Sequence, residues 1–175
     1  MATGDALRQD FLGIVSQAGI AAADHGYARK QSVLRRVVED NVALISFQKS
    51  SRNTVDGLSF TINLSIVCGA LLDPGGVTIS AAKEYDGHLR QRIGPLMRGG
   101  ADKWWEISSA TRIDVLSAEI TNLVVSVAVP YLERYVRTGD LTALWEAGQS
   151  PGLTEIQRVR FLAQLNGLGR VAITL

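Results

Sequence analysis

The hydrophobic positions of this chain change their period twice. Near the N-terminus Leu7, Phe11, Ile14, Val15 and Ala18 recur at intervals that keep side chains on one face of a helix. Asp5 is placed to cap the first turn and Gly26 to stop the last, so a helix over 5–24 is expected. The pattern then shifts to period two. VLRRVVED (33–40) and NVALISFQKS (41–50) are β-branched segments that predict a hairpin meeting at Asp40-Asn41. The Asp56-Gly57 step suits a second tight turn, and LSFTINLSIVC follows it. In that stretch Leu58, Phe60, Ile62, Leu64, Ile66 and Cys68 alternate with Ser59, Thr61, Asn63, Ser65 and Val67. Alternation of this kind fits an antiparallel sheet with one face on the core and the other largely polar, covered on one side only. After the turn-rich DPGG (73–76), HLRQRIG alternates again and predicts a fourth strand, with Leu89 and Ile93 on one side and His88, Arg90 and Arg92 on the other.

From Thr111 onward the period is helical again. Ile113, Leu116, Ile120, Leu123, Val124 and Val127 form an apolar stripe, and Thr111 with Asp114 resembles a capping box. Pro130 should kink or end that helix. A short helix from Asp140 to about Ala147 is stopped by Gly148. Thr154 and Gln157 then make a capping box for a last helix ending at Asn166-Gly167. The order helix, strands, helices predicts an α+β fold: an antiparallel sheet of about four strands with the N-terminal helix and then the C-terminal helices packed on one face. No repeat, low-complexity tract or linker divides the sequence, so 1–175 reads as a single domain.

Composition narrows the function classes. Eighteen basic residues against seventeen acidic leave a net charge of +1, so no global field draws the molecule to nucleic acid or anionic lipid, and any basic patch must be local. Nucleic acid is not the expected partner. Cys68 is the only cysteine, which excludes an internal disulfide framework and a thiolate zinc cluster and fits a reducing cytoplasm. The start, MATGDALRQDFLGIV, is interrupted by Asp5, Arg8 and Asp10 where a signal peptide would be apolar. The most apolar run, LVVSVAVPYL (123–132), is about half the roughly 20 residues of a spanning helix, so no membrane partner is expected.

The search for chemistry is mostly one of elimination. Gly167-Leu168-Gly169-Arg170-Val171-Ala172 matches G-x-G-x-x-A in spacing but lacks the strand before and the helix after that make the motif bind a dinucleotide. Phosphate loops, zinc-protease motifs and nucleophile elbows are absent from the sequence, and His25 and His88 are its only histidines. No cofactor and no metal are expected. Cys68 falls on the apolar face of its strand, where a thiol is buried and weakly reactive. What remains is a set of polar side chains: Ser46 and Gln48 on one strand, Thr61, Asn63 and Ser65 on the next, and His88, Arg90 and Arg92 on the fourth. If those faces coincide, amides, hydroxyls and guanidiniums line one surface suited to an anionic group or an acidic protein. The uncovered side of a half-buried sheet needs the same composition, so the residues leave partner, ligand and water all open. Trp104 and Trp105 are adjacent and must point in different directions, one toward a core and one toward an edge or an arginine.

NVALISFQKS, FTINLSI, RQRIG and DKWWEI, in that order and with these gaps, resemble the bacterial domain of unknown function 4304 family over about residues 5–110. The resemblance implies no activity. It directs attention to Gln48, Asn63, Arg92, Gly94 and Trp104, and its small stand-alone format implies an immunity or interaction module. The expectation is therefore a non-enzymatic protein-binding module, of the immunity or antitoxin type, with a toxin as the protein partner. The alternative is a protein or enzyme acting on a small anionic ligand, with Gln48, Asn63, Arg90 and Arg92 fixing the anion and His88 as acid or base.

Overall fold

The alternation at 58–68 is realised as the longest strand, β4 (Leu58–Cys68), and the remaining elements are arranged about it. The computed structural model describes residues 3–172, with side chains over 4–167. Ahead of β4 come α1 (Thr3–Ala23), β1 (Ala28–Lys30), β2 (Val33–Val38) and β3 (Asn41–Lys49); behind it come β5 (Leu89–Arg92) and β6 (Trp105–Ile107). Every pairing is antiparallel and the order is β1-β2-β3-β4-β5, with β6 also paired to β4. β5 takes residues 63–66 of β4 and β6 takes 58–60, so the two short strands share one side of the long one. The fold is α+β, as the element order predicts, with two more strands than expected. The extra strands, β1 and β6, have three residues each, too few to display a period.

The hairpin turns one residue earlier than expected. Val38 pairs with Asn41, which leaves Glu39 and Asp40 as the turn, and Glu39 takes the left-handed conformation at φ 55°. Asn41 is instead a fully buried strand residue. Its amide donates to Val136 O (2.7 Å) and Thr138 Oγ1 (3.1 Å) and its carbonyl accepts from Gly69 N (3.1 Å), tying the sheet to the helical half.

The helices lie on one face of the sheet. Phe11, Ile14, Val15 and Ala18 of α1 meet Phe60, Ile62, Leu64 and Ile66 of β4 in one core. Phe60 is its centre, edge-on to Phe11 at 5.3 Å and stacked on Trp105 at 5.7 Å between ring centroids. The opposite face is not open to water along its length. Thr61 and Ser65 are fully buried and Asn63 is 6% exposed. The chain between β4 and β5 folds back over this face, and Ala82 closes a second small cluster with Val42, Leu44 and Val67. Arg35 pins that cover through Ile79 O (2.7 Å) and Ala82 O (3.1 Å), and Ser65 Oγ donates to Glu84 O (3.0 Å). Thr61 and Ser65 are polar because they bind covering backbone, not because they face solvent.

α2 (Ile113–Leu123) and α3 (Val129–Tyr135) run together as one 23-residue helix, joined by a π-helical turn over Val124–Ala128. Pro130 does not end it. The wide turn just before the proline shifts the carbonyls that its ring would otherwise meet, as helix-interior prolines require. The segment is longer than the apolar run at 123–132 suggests, and by length and composition it could cross a membrane. Here it packs on α1 and the sheet through Leu116, Ile120, Val124, Val129 and Leu132, all buried. The capping box at its start does not form: Asp114 pairs with Arg112 (2.8 Å) and Thr111 Oγ1 accepts from Ser108 N (2.9 Å).

α4 (Thr138–Glu146) stops at Gly148, whose φ is 80°. α5 (Glu155–Ala172) begins with the expected box, Gln157 Oε1 accepting from Thr154 N (2.9 Å) and Thr154 Oγ1 from Gln157 N (3.3 Å). It does not end at Asn166-Gly167 but continues to Ala172. A Cβ added at Gly167 would meet nothing within 4 Å among the described residues, so the position does not demand a glycine stop.

Candidate functional site

Register brings three sequence-predicted residues, Ser46, Asn63 and Arg92, together. Val33 pairs with Ser46, Ser46 with Asn63 and Asn63 with Arg92, so one row of side chains crosses β2 to β5. Beyond the reach of the Ala82 cluster, this row is the floor of a cleft. A chamber of about 400 Å³ lies between the sheet and residues 80–85, lined among others by Lys30, Arg35, Ser46 and Tyr85. A smaller one of about 210 Å³ adjoins it toward Arg90, Arg92 and Gly152. Gln48, Asn63 and Glu84 belong to both.

Hydrogen bonding in the cleft is incomplete. Asn63 Nδ2 donates to Gln48 Oε1 at 2.6 Å, which orients both amides and leaves Asn63 Oδ1 and Gln48 Nε2 without a partner among the described residues. Ser46 Oγ is buried and makes no hydrogen bond, and neither does Arg90 Nε. Each unmade bond of a buried polar group costs roughly 1–3 kcal/mol. Charge is also unbalanced. Lys30, Arg35, Lys83, Arg90 and Arg92 line the two chambers against a single carboxylate, Glu84. Arg35 and Arg90 are held by backbone carbonyls, which fix a guanidinium without cancelling its charge. Among the described residues only Arg92 of these five has a counter-ion, Asp102 at 2.5 Å.

Trp104 stands behind this arginine. Its ring lies 5.3 Å from the Arg92 guanidinium and its Nε1 donates to Asp102 Oδ2 at 3.2 Å, so it supports Arg92 from outside the chambers. Trp105 takes the core position, with Nε1 donating to Glu119 Oε1 at 2.8 Å. Gly94 is a close approach of backbone, since a Cβ there would meet Ala101 O at 2.4 Å; its role is to let the 94–103 loop cross.

His88 is not in the cleft. It precedes β5, where the alternation no longer holds, and its Nδ1 accepts the Cys68 N–H at 3.0 Å. Its ring meets Phe161 edge-on at 5.0 Å and borders a separate hollow with Arg160. Burial pushes its pKa down to about 4, opposed by the weaker influence of Asp86. Such a group is a neutral hydrogen-bond acceptor at neutral pH and has no reach to Asn63 or Arg92. Cys68 is buried, and burial raises its thiol pKa against the lowering effect of the Thr138 hydrogen bond.

No period or motif in the sequence marks Arg35, Glu84 or Gly152 as cleft residues. Gly152 comes from the loop between α4 and α5. Pro151 O accepts from Arg90 N (3.0 Å) and Gly152 O from Arg90 Nη2 (3.1 Å), so this loop covers the edge of β5. A Cβ on Gly152 would lie 2.6 Å from Arg90 O, and its φ is 76°. No group of three or more His, Cys, Asp or Glu that could hold a metal occurs among the described residues.

A family model described as a domain of unknown function (DUF4304) matches residues 20–134. The match begins later and extends further than the 5–110 resemblance, taking in all six strands, α2 and most of α3. No curated protein and no solved structure matches the chain.

Proposed function

For this chain, which belongs to the DUF4304 family, we propose a ligand-binding role in which the cleft recognises a small molecule through an acidic group. The observation that carries this is the Ser46–Asn63–Arg92 row, concave and supplied with polar atoms that the protein itself leaves unpaired. A face meant only for water would lie flat, and a face meant only for packing would be apolar or fully bonded, as it is at Thr61 and Ser65. The cationic lining selects an acidic group, and Arg92, braced by Asp102 and Trp104, presents a fixed planar donor to it. With His88 outside the cleft, the side chains at hand are suited to holding a ligand more than to transforming it.

A thermal-shift screen of carboxylates, phosphates and nucleotides tests this reading. A ligand at one hundred times its Kd stabilises by about 2.7 kcal/mol, and so raises the melting temperature by roughly 5–10 °C in a domain of this size. Asn63→Ala should remove the shift. If no acidic compound shifts the melting temperature at millimolar concentration, the reading fails.

A protein partner of the toxin-neutralising kind is the second reading, favoured by one observation. Among the described residues β1 pairs only with β2, and its three residues, Ala28, Arg29 and Lys30, are exposed. That free edge, carrying two cations, suits an added acidic strand. Cross-linked capture from the native host, repeated with Arg29→Glu/Lys30→Glu, tests it; a partner retained equally by both proteins does not use this edge.

A further inference from the structure

We propose that the cleft's ligand is a zwitterion, a free α-amino acid held by its carboxylate and its ammonium group together. This rests on the reading of the cleft as a ligand site and specifies what enters it.

The argument starts from charges that share a space without meeting. Glu84, Arg90 and Arg92 all line the chamber of about 210 Å³. No ion pair joins Glu84 to either guanidinium: Arg92 is paired with Asp102, and Arg90 Nη2 is bonded to the Gly152 carbonyl. Opposite charges that border so small a volume would pair if the loops let them. Here the Ser65 Oγ to Glu84 O hydrogen bond and the 151–152 carbonyls hold the two walls in place. A plain anion placed between them faces the guanidiniums and also an uncompensated carboxylate. A plain cation has the reverse difficulty. A molecule with a carboxylate toward Arg90 and Arg92 and an ammonium toward Glu84 satisfies both walls.

The neutral groups add one free acceptor and one free donor. Asn63 Oδ1 is an unpaired acceptor, and an ammonium has three hydrogens to give. Gln48 Nε2 is an unpaired donor, and a carboxylate accepts at two oxygens. The Asn63-to-Gln48 bond fixes which end of each amide is offered, so the pair presents one acceptor and one donor to the cleft. Gln48, Asn63 and Glu84 also border the chamber of about 400 Å³, which has room for a side chain and offers Val33, Ala81 and Ala82 as apolar wall.

Calorimetric titration of the full chain with the twenty free L-amino acids, followed by the N-acetyl and carboxamide derivatives of the best binder and by acetate and phosphate, tests the proposal. The expected result is saturable one-to-one binding of at least one free amino acid, weakened about tenfold or more by blocking either end. Glu84→Gln should weaken the free amino acid by a similar factor and leave the N-acetyl derivative unaffected. The derivative series on the unmodified protein decides the matter even if that variant fails to fold. Acetate, phosphate or the N-acetyl derivative binding as tightly as the free amino acid, and losing affinity in Asn63→Ala, overturns the zwitterion while leaving the acid-binding cleft standing. Absence of binding by every probe overturns the zwitterion, and the acid-binding cleft then stands or falls on the thermal-shift screen.

Discussion

On one face of β4, Phe60, Ile62, Leu64 and Ile66 are sealed by the side chains of helices; on the other, Thr61, Asn63 and Ser65 are buried almost as deeply under backbone. The apolar row asks only for volume, and any well-fitting carbon meets that need. The polar row asks for a specific partner at each position. Thr61 finds Lys103 O at 2.8 Å and Ser65 finds Glu84 O at 3.0 Å, whereas between them Asn63 offers an unpaired carbonyl to the cleft. Burial therefore does not separate scaffold from site in this protein. Hydrogen-bond completion does, and the place where it stops is the cleft.

The largest test of that contrast is Phe60→Ala. Its ring touches Phe11, Phe47 and Trp105, and truncating a buried phenylalanine costs about 3–5 kcal/mol. Urea denaturation should show a loss in that range. A loss under about 1 kcal/mol would mean that the helix face is not the tightly packed side.

Next in size is a pH effect at the border of the two faces, where His88 accepts the Cys68 N–H. Its folded pKa, about 4, lies below the unfolded value of 6.5. The unfolded chain thus takes up a proton that the folded one refuses. The stability owed to neutral His88 is complete above pH 6.5 and is lost as the pH falls toward 4, by on the order of 3 kcal/mol in all. Most carboxylates titrate lower, so the slope between pH 6.5 and 5 isolates this histidine. Urea midpoints should fall across that interval in the parent and stay level in His88→Gln; a level parent curve refutes the assignment.

The two faces were not equally legible in the sequence. The helix face announced itself because carbon at period two or 3.6 has one common cause, and β4 and α1 follow that pattern closely. The polar face did not, because solvent and a covering backbone select the same serines, threonines and asparagines. The cover itself, residues 69–88, reads as turns and carries no period, so nothing marked Arg35 or Glu84 as neighbours of Asn63. Gln48, Asn63, Arg90 and Arg92 could be grouped because strand register is a local rule. Gly152 could not, since its approach to Arg90 spans 62 residues of chain. His88 stands one residue before the first residue of β5, where the strand's alternation no longer governs its side chain.

Gly152→Ala probes the loop that closes the cleft. A side chain there must be borne at a φ of 76° and would press on the backbone of Arg90, so the loop should lift from β5. A cost of about 1–3 kcal/mol is expected, with faster hydrogen exchange at the Arg90 amide as the Pro151 bond opens. Unchanged exchange at Arg90 would show that the loop does not guard this edge.

The finest test compares two hydroxyls on adjacent strands of the polar face. Thr61→Val keeps the shape and strips Lys103 O of its donor, so it should destabilise by roughly 1–3 kcal/mol. Ser46→Ala removes an oxygen that is buried without a partner, so the ligand-free protein should gain stability, by up to about 1 kcal/mol. The difference in sign is the point, because both residues are polar, both belong to the sheet, and only their bonding distinguishes them. If the cleft is a binding site, the gain at Ser46 has a counterpart: a ligand seated on the Ser46–Asn63–Arg92 row loses a polar neighbour, so the stabilised variant should bind it more weakly. Measuring the melting temperature of each variant with and without ligand separates the two effects. Equal losses at both positions would erase the distinction between bonded cover and open floor on which the site assignment rests.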